Sequence, residues 1–263
     1  MGQPMRALLL AAGLGSRLRP LTDSTPKCLV PIHGRPLLDY WLDLVFEGGI
    51  ARALVNTHWL PGQVEAHVAA SPWSSRVDLV HEDELRGTGG TVLANRGWLG
   101  DHAFLVAHAD NLTDFDVRGL IDAHRRRPAG HVMTMLGFRT DDPSSCGILE
   151  LDRHGTVMAF HEKVENPPGN LANGAVYIFE PQVIADIAKL GRKVVDLSTE
   201  VIPNYLGRIR CVETHGYHRD IGSPASLLHA HIEFPPGSRK DREHKRAEAR
   251  AEPSAELLGT VRR

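Results

Sequence analysis

The chain has 263 residues, enough for one large α/β domain or two small ones with a sizeable core. Its composition, 42% hydrophobic and 24% charged, is that of an ordinary globular protein, and a formal net charge of -2 gives no electrostatic reason to expect nucleic acid or an anionic membrane as partner. Any phosphate binding must come from local basic residues and backbone amides. The three cysteines (Cys28, Cys146 and Cys211) are scattered without metal-ligand spacing, and the apolar run at 8–12 is too short to span a bilayer, so a cytoplasmic location is expected.

Met5 to Ala11 is an apolar run interrupted only by Arg6, as expected of a strand buried on both faces of a parallel sheet. A loop with Gly13, Gly15 and several prolines follows. Leu37, Trp41, Leu44 and Val45 then recur at helical spacing until Gly48-Gly49 stops the helix. Ala53–Asn56 and Arg76–His81 read as strands, with a helix over Gln63–Ala70 between them. The loop HEDELRGTGG leads to a helix from about Thr91, then a buried strand AFLVAH at 103–108, a helix near Val117–Arg126 and a strand near His131–Phe138. This alternation implies a Rossmann-like, doubly wound, mostly parallel α/β sheet. After about residue 140 the rhythm changes. Gly147–Asp152 and Val157–His161 read as a hairpin, Ala175–Phe179 as a third strand, and helices follow near Pro181–Ala188 and Leu197–Leu206. We expect this half to be an antiparallel extension of the sheet. The expected organisation is one domain over 1–235, with halves of about 1–140 and 141–235, and a charged tail over 236–263, disordered or marginally helical.

The strongest local feature is LLLAAGLGSRLRPLT at 8–22, followed by TPKCLVP at 25–31. A buried strand that runs into a glycine-rich turn places the turn at the carboxyl edge of the sheet, where α/β proteins bind ligands. Glycines let backbone amides approach phosphate closely, and Arg17 and Lys27 add positive charge. The spacing is not that of a dinucleotide fingerprint, since Leu18 stands where the third glycine belongs, nor that of a P-loop.

The whole string AAGLGSRLRPLTDSTPKCLVPIHGRPLLDY resembles the opening of the sugar-1-phosphate nucleotidyltransferases, the nucleoside-diphosphate-sugar pyrophosphorylases. Their pattern is roughly G-x-G-[ST]-R-L-x-P-L-T, then P-K-P-L-x-P, and the likeness continues to about Ser226. Cys28 replaces a usual proline, after the key lysine. The resemblance implies that Ala11, Ala12, Gly13, Gly15, Ser16 and Arg17 cradle a nucleoside triphosphate, with Lys27 at the transferring phosphate. It also places Glu82, Gly87 and Thr88, in EDELRGTGGTV, around the base. Gly87 would admit a base close to the backbone. Glu82, an acceptor, would suit guanine's paired donors better than uracil or thymine.

Asp110 ends the apolar strand FLVAHAD, so its carboxylate should emerge beside the glycine loop. By the resemblance it is one magnesium ligand and Asp220, in GYHRDIGSP, the second; magnesium takes one or two carboxylates and completes its shell with water and phosphate. Ala109 replaces a usual glycine. The triplet Asp114-Phe115-Asp116 has the D-x-D form of metal-dependent glycosyltransferases, but Asp116 reads better as a helix cap. FHEKVENPP at 160–168 resembles the family's E-K-P segment, which implies Lys163 on the phosphate of the sugar 1-phosphate and Glu162 on sugar hydroxyls; Gly147, Asn173 and Gly174 would line the same pocket.

The expected partners are thus a nucleoside triphosphate and a sugar 1-phosphate, with magnesium as cofactor, no nucleic acid and no membrane; homo-oligomerisation is left open. GTP with mannose or heptose 1-phosphate is the leading pair. UTP or dTTP with a hexose 1-phosphate, or a cytidylyltransferase acting on a phospho-alcohol, are the alternatives.

Overall fold

The computed structural model describes residues 4–237. In chain order its strands and helices are β1 (Arg6–Leu10), α1 (Leu21–Ser24), β2 (Pro31–Ile32), β3 (Arg35–Pro36), α2 (Leu37–Glu47), β4 (Arg52–Thr57), α3 (Pro61–Ala70) and β5 (Val77–His81). Then come α4 (Gly87–Ala94), α5 (Arg96–Leu99), β6 (Phe104–His108), β7 (Asn111–Thr113), α6 (Val117–Arg125), β8 (Met133–Arg139), β9 (Gly147–Leu151) and β10 (Val157–Glu162). The described part closes with β11 (Leu171–Phe179), α7 (Gln182–Lys189), β12 (Ile209–Glu213), β13 (His218–Asp220) and α8 (Pro224–Glu233).

Nine strands form one sheet. Its parallel part runs β5-β4-β1-β6, with Leu10 paired to Asn56 on one side and His108 on the other. All four strands end at the same edge. After the exposed Arg6, β1 is apolar because its successive side chains feed two different cores: Ala7 and Leu9 join Leu105, Ala107 and α2, while Leu8 and Leu10 join Val106, Val92 and Tyr177. Beyond β6 the sheet turns antiparallel through β11, which pairs with β6, β8 and β9, and β9 with β10. The mostly parallel sheet with an antiparallel extension is therefore present.

Several element ends differ from expectation. α4 begins at Gly87, ahead of the expected Thr91, because Gly87 takes φ +69 and packs under the carbonyl of Val195. The helix expected over Leu197–Leu206 is a π turn over Leu197–Val201 followed by a 3₁₀ turn over Ile202–Tyr205. Asp116 occupies the position before α6, yet its side chain makes no capping bond. β12, β13 and α8 carried no clear period: α8 buries only Ala230 fully and exposes Leu228 and Ile232. The charged tail, from 238 onward, lies outside the described residues. Among the described residues no helix is long and apolar enough to cross a membrane.

Candidate functional site

The loop after β1 turns sharply at Gly15, in left-handed backbone at φ +62, and a Cβ there would lie 2.8 Å from Thr22 Cγ2. The Thr22 hydroxyl donates to the Gly15 carbonyl at 2.8 Å and the Trp59 indole donates to the Thr22 carbonyl at 2.9 Å, fixing the loop from below. Gly13, Ser16 and Arg17 are left facing solvent, while Ala11 and Ala12 are buried beneath them. Cys28 is buried in the core, and that burial pushes its thiol up to about 12.

Lys27 is the centre of the arrangement. Its side chain is 4% exposed, and its ammonium donates to Asp110 Oδ2 at 2.7 Å and to Asp220 Oδ1 at 3.1 Å. Asp110 stands just past β6, where the amide of fully buried Ala109 donates to the Leu10 carbonyl. Asp220 ends β13, which pairs with β7 and so returns to the same edge. The Gly222 amide donates to Asp220 Oδ1 at 2.8 Å, and Arg17 donates to Asp220 Oδ2 at 3.2 Å. Desolvation pushes the Asp110 carboxyl up, but the charge and hydrogen bond of Lys27, aided by His108, hold it below the usual carboxylate range. Arg17, Asp220, Lys27 and Asp110 are thus linked in a chain of ion pairs beside the turn at Gly15.

The second loop is organised differently from expectation. Glu82 is buried: its Oε1 accepts from Asn56 Nδ2 at 3.1 Å and from the Thr91 hydroxyl at 2.6 Å, and its Oε2 accepts from the Arg86 amide at 3.3 Å. Its acceptors are spent mainly inside the protein, holding the 82–88 loop. The space that glycine leaves at Gly87 is taken by Val195, whose carbonyl would lie 2.6 Å from a Cβ there and accepts from the Gly89 amide at 2.8 Å. Thr88 donates to Asp196 and accepts from the Leu197 amide. The 195–197 segment is therefore part of this loop's structure, and nothing in local spacing announced it.

On the other side, Gly147 pairs with Glu162, and a Cβ at Gly147 would collide with Glu162 Oε2 at 2.6 Å and with the Phe160 ring. Lys163 sits at φ +50 with its amide donating to the Cys146 carbonyl; its ammonium is 3.5 Å from Glu162 and the side chain is largely exposed. Asn173 donates to the Tyr177 hydroxyl at 2.7 Å and accepts from the Ala175 amide at 3.0 Å, shaping an irregularity in β11. Burial pushes the Tyr177 phenol up, and the Glu162 and Asp196 carboxylates add to the shift. Gly174 packs against His218, which donates to or accepts from Thr113 at 3.0 Å and adjoins the strand end at Asp220.

Three polar side chains at this edge carried no local motif. Asn56 and His108 sit in apolar strands, and His218 lies beside Asp220. His108 Nε2 is buried without a hydrogen-bond partner, and burial holds the ring's pKa down against Asp110 and Asp196. The only available signal was a polar residue at the carboxyl end of a buried strand. Asp114 and Asp116 do not converge: Asp114 is buried and Asp116 exposed.

A glycine turn, a buried lysine and two carboxylates thus stand together at the carboxyl edge of a parallel sheet, where α/β proteins bind ligands. The chain belongs to the nucleotidyl transferase family, whose model matches residues 6–235. It is similar to a mannose-1-phosphate guanylyltransferase of Mycobacterium tuberculosis, 34% identical over 228 residues, which cover 84% of this chain and 62% of that protein. It is also 30% identical over 233 residues to a glucose-1-phosphate thymidylyltransferase of Streptomyces griseus, covering 85% of this chain and 64% of the relative. The chain thus spans less than two thirds of the length of these curated relatives. Among solved structures, HddC from Yersinia pseudotuberculosis complexed with GMP-PN matches at TM-score 0.74 and 24% identity, over 88% of this chain and 100% of that one. A UDP-glucose pyrophosphorylase complexed with UDP-glucose matches at TM-score 0.75 and 19% identity, over 88% and 98%.

Proposed function

We propose that the chain transfers a nucleoside monophosphate from a nucleoside triphosphate to a sugar 1-phosphate, giving a nucleoside-diphosphate sugar and pyrophosphate. The observation that carries this is Lys27, buried and bridging Asp110 and Asp220 beside the glycine turn. A phosphate oxygen of the sugar 1-phosphate attacks the α-phosphorus in line, the α–β anhydride bond breaks, and pyrophosphate leaves. The second pKa of a phosphate monoester lies near about 6, so the nucleophile is already dianionic and needs no general base. Arg17, Lys27 and the amides of Gly13, Gly15 and Ser16 neutralise the triphosphate. Lys163 draws in the sugar phosphate, with Glu162, Asn173, Gly147 and Gly174 forming the sugar side.

The two aspartates fit a magnesium ion. An ammonium already rests between them as a cation, and no larger cluster of His, Cys, Asp or Glu competes among the described residues. When bound, magnesium would neutralise charge on the α-phosphate and the leaving pyrophosphate.

Guanine is the preferred base and mannose or heptose 1-phosphate the preferred acceptor. The support is the 34% identity to a mannose-1-phosphate guanylyltransferase. Uridylyl or thymidylyl transfer is the second reading, favoured by the similarity to a thymidylyltransferase. A matrix of nucleoside triphosphates against sugar 1-phosphates, read by pyrophosphate release, separates them. A single productive pair containing GTP supports the first, and exclusive use of UTP or dTTP overturns it.

A further inference from the structure

The glycine turn and the 82–88 loop come from different strands, yet one side chain joins them. Asn56 lies at the carboxyl end of β4, 3% exposed, in a row with Leu10 and His108 across the sheet. Its Oδ1 accepts from the Ala11 amide at 2.7 Å, at the very start of the glycine loop, and its Nδ2 donates to Glu82 Oε1 at 3.1 Å. Glu82 in turn accepts from Thr91 at 2.6 Å and from the Arg86 amide at 3.3 Å, so it ties the loop to the second turn of α4. The main chain of Glu82 is held as well: its amide donates to the Thr57 carbonyl at 2.9 Å, and its carbonyl lies 2.7 Å from His58 Nδ1.

We propose that Asn56 is a positioning residue that sets the separation of the triphosphate loop from the base loop, and thereby governs nucleotide affinity and choice of base. The inference rests on the nucleotidyltransferase reading above. An amide suits this position because it must accept on one side and donate on the other. Aspartate could accept from Ala11 but would face Glu82 as a second carboxylate, which repels it. Leucine would leave the Ala11 amide without its partner and would remove one of the two donors to Glu82 Oε1, leaving only Thr91. Exchanging the two functions restores the pattern. In Asn56→Asp with Glu82→Gln, the aspartate accepts from Ala11 and from the new amide, while the glutamine oxygen still accepts from Arg86. The Thr91 hydroxyl then accepts from that amide and gives its proton to the Gly87 carbonyl, already 3.0 Å away.

The test measures steady-state constants for both substrates and equilibrium binding of each nucleoside triphosphate alone, for the wild type, Asn56→Asp, Asn56→Leu and the double exchange. Thermal unfolding is followed in parallel. We expect Asn56→Asp to raise the KM and Kd for the preferred triphosphate about tenfold or more. The KM for sugar 1-phosphate should stay within about twofold, and the preference over a second base should narrow. The double exchange should recover most of the affinity. If the wild type turns over but Asn56→Asp shifts both KM values equally, or loses only thermal stability, or is not rescued by the exchange, Asn56 is merely structural. If the wild type neither binds a nucleoside triphosphate nor releases pyrophosphate, it is the functional reading that fails.

Discussion

Replacing Lys27 by methionine removes its charge while keeping most of its volume. The ammonium lies 2.7 Å from Asp110 and 3.1 Å from Asp220. Unit charges at such separations attract by about 5–6 kcal/mol in an effective dielectric of about 20. Desolvation of the buried ammonium offsets much of that gain. Breaking a fully buried pair by removing one partner costs about 3–5 kcal/mol. Here Asp110 is 33% exposed and Asp220 49%, so solvent screens the carboxylates left behind, and we expect a loss nearer about 1–3 kcal/mol at neutral pH. Turnover should suffer more, by about 10²–10³-fold, the scale for removing one preorganised charge or donor from a reacting centre. Urea unfolding measures the first quantity and single-turnover pyrophosphate release the second. Turnover within about threefold of wild type, with the protein folded, would refute the placement of Lys27 at the transferring phosphate.

Lys163 sits at φ +50, a left-handed backbone that asparagine tolerates better than most residues, so Lys163→Asn removes the charge without adding backbone strain. That variant should raise the KM for sugar 1-phosphate about tenfold or more while leaving triphosphate binding intact, and titrations with each ligand separately check the split. His124 is buried, and that burial, with Arg127 beside it, lowers its pKa to about 3 against an ordinary 6.5; the neighbouring Glu180 is itself neutralised by Arg127. The unfolded chain therefore takes up this proton first: the contribution is complete above about pH 6.5 and is lost as pH falls toward 3, about 2 kcal/mol by pH 5. Urea midpoints at pH 7.5 and 5 should converge in His124→Gln relative to wild type, and an unchanged pH dependence contradicts the assignment. Deleting residues from Arg239 onward should leave turnover and both KM values unchanged, since every site residue precedes it; loss of activity in a folded truncation with unaltered oligomeric state contradicts this.

What was legible in the sequence was what short-range pattern encodes. The apolar run of β1 at 7–10, the glycine turn and the carboxylate after FLVAH can each be read from a dozen consecutive residues, because a strand is apolar where both of its faces are buried. Asp220 was reached only through the resemblance, since its place beside Lys27 depends on β13 pairing with β7 across 100 residues and more. Gly87 carries a second constraint that is hidden for a similar reason. The side-chain space it leaves is filled by Val195, a distant residue that no local pattern announces. Glu82 looked like a free acceptor in an acidic loop; its burial is visible only once Asn56 and Thr91 are beside it. α8 escaped because a helix that buries little leaves no periodic stripe.

The central claim is tested most directly by pyrophosphate release from GTP and mannose 1-phosphate with magnesium, in the wild type, Asp110→Asn and Asp220→Asn. Our account predicts ready product release in the wild type, with turnover in both folded variants lower by about 10² or more. Release at wild-type rates in both variants, or no release from the wild type with any triphosphate and sugar 1-phosphate, would contradict it.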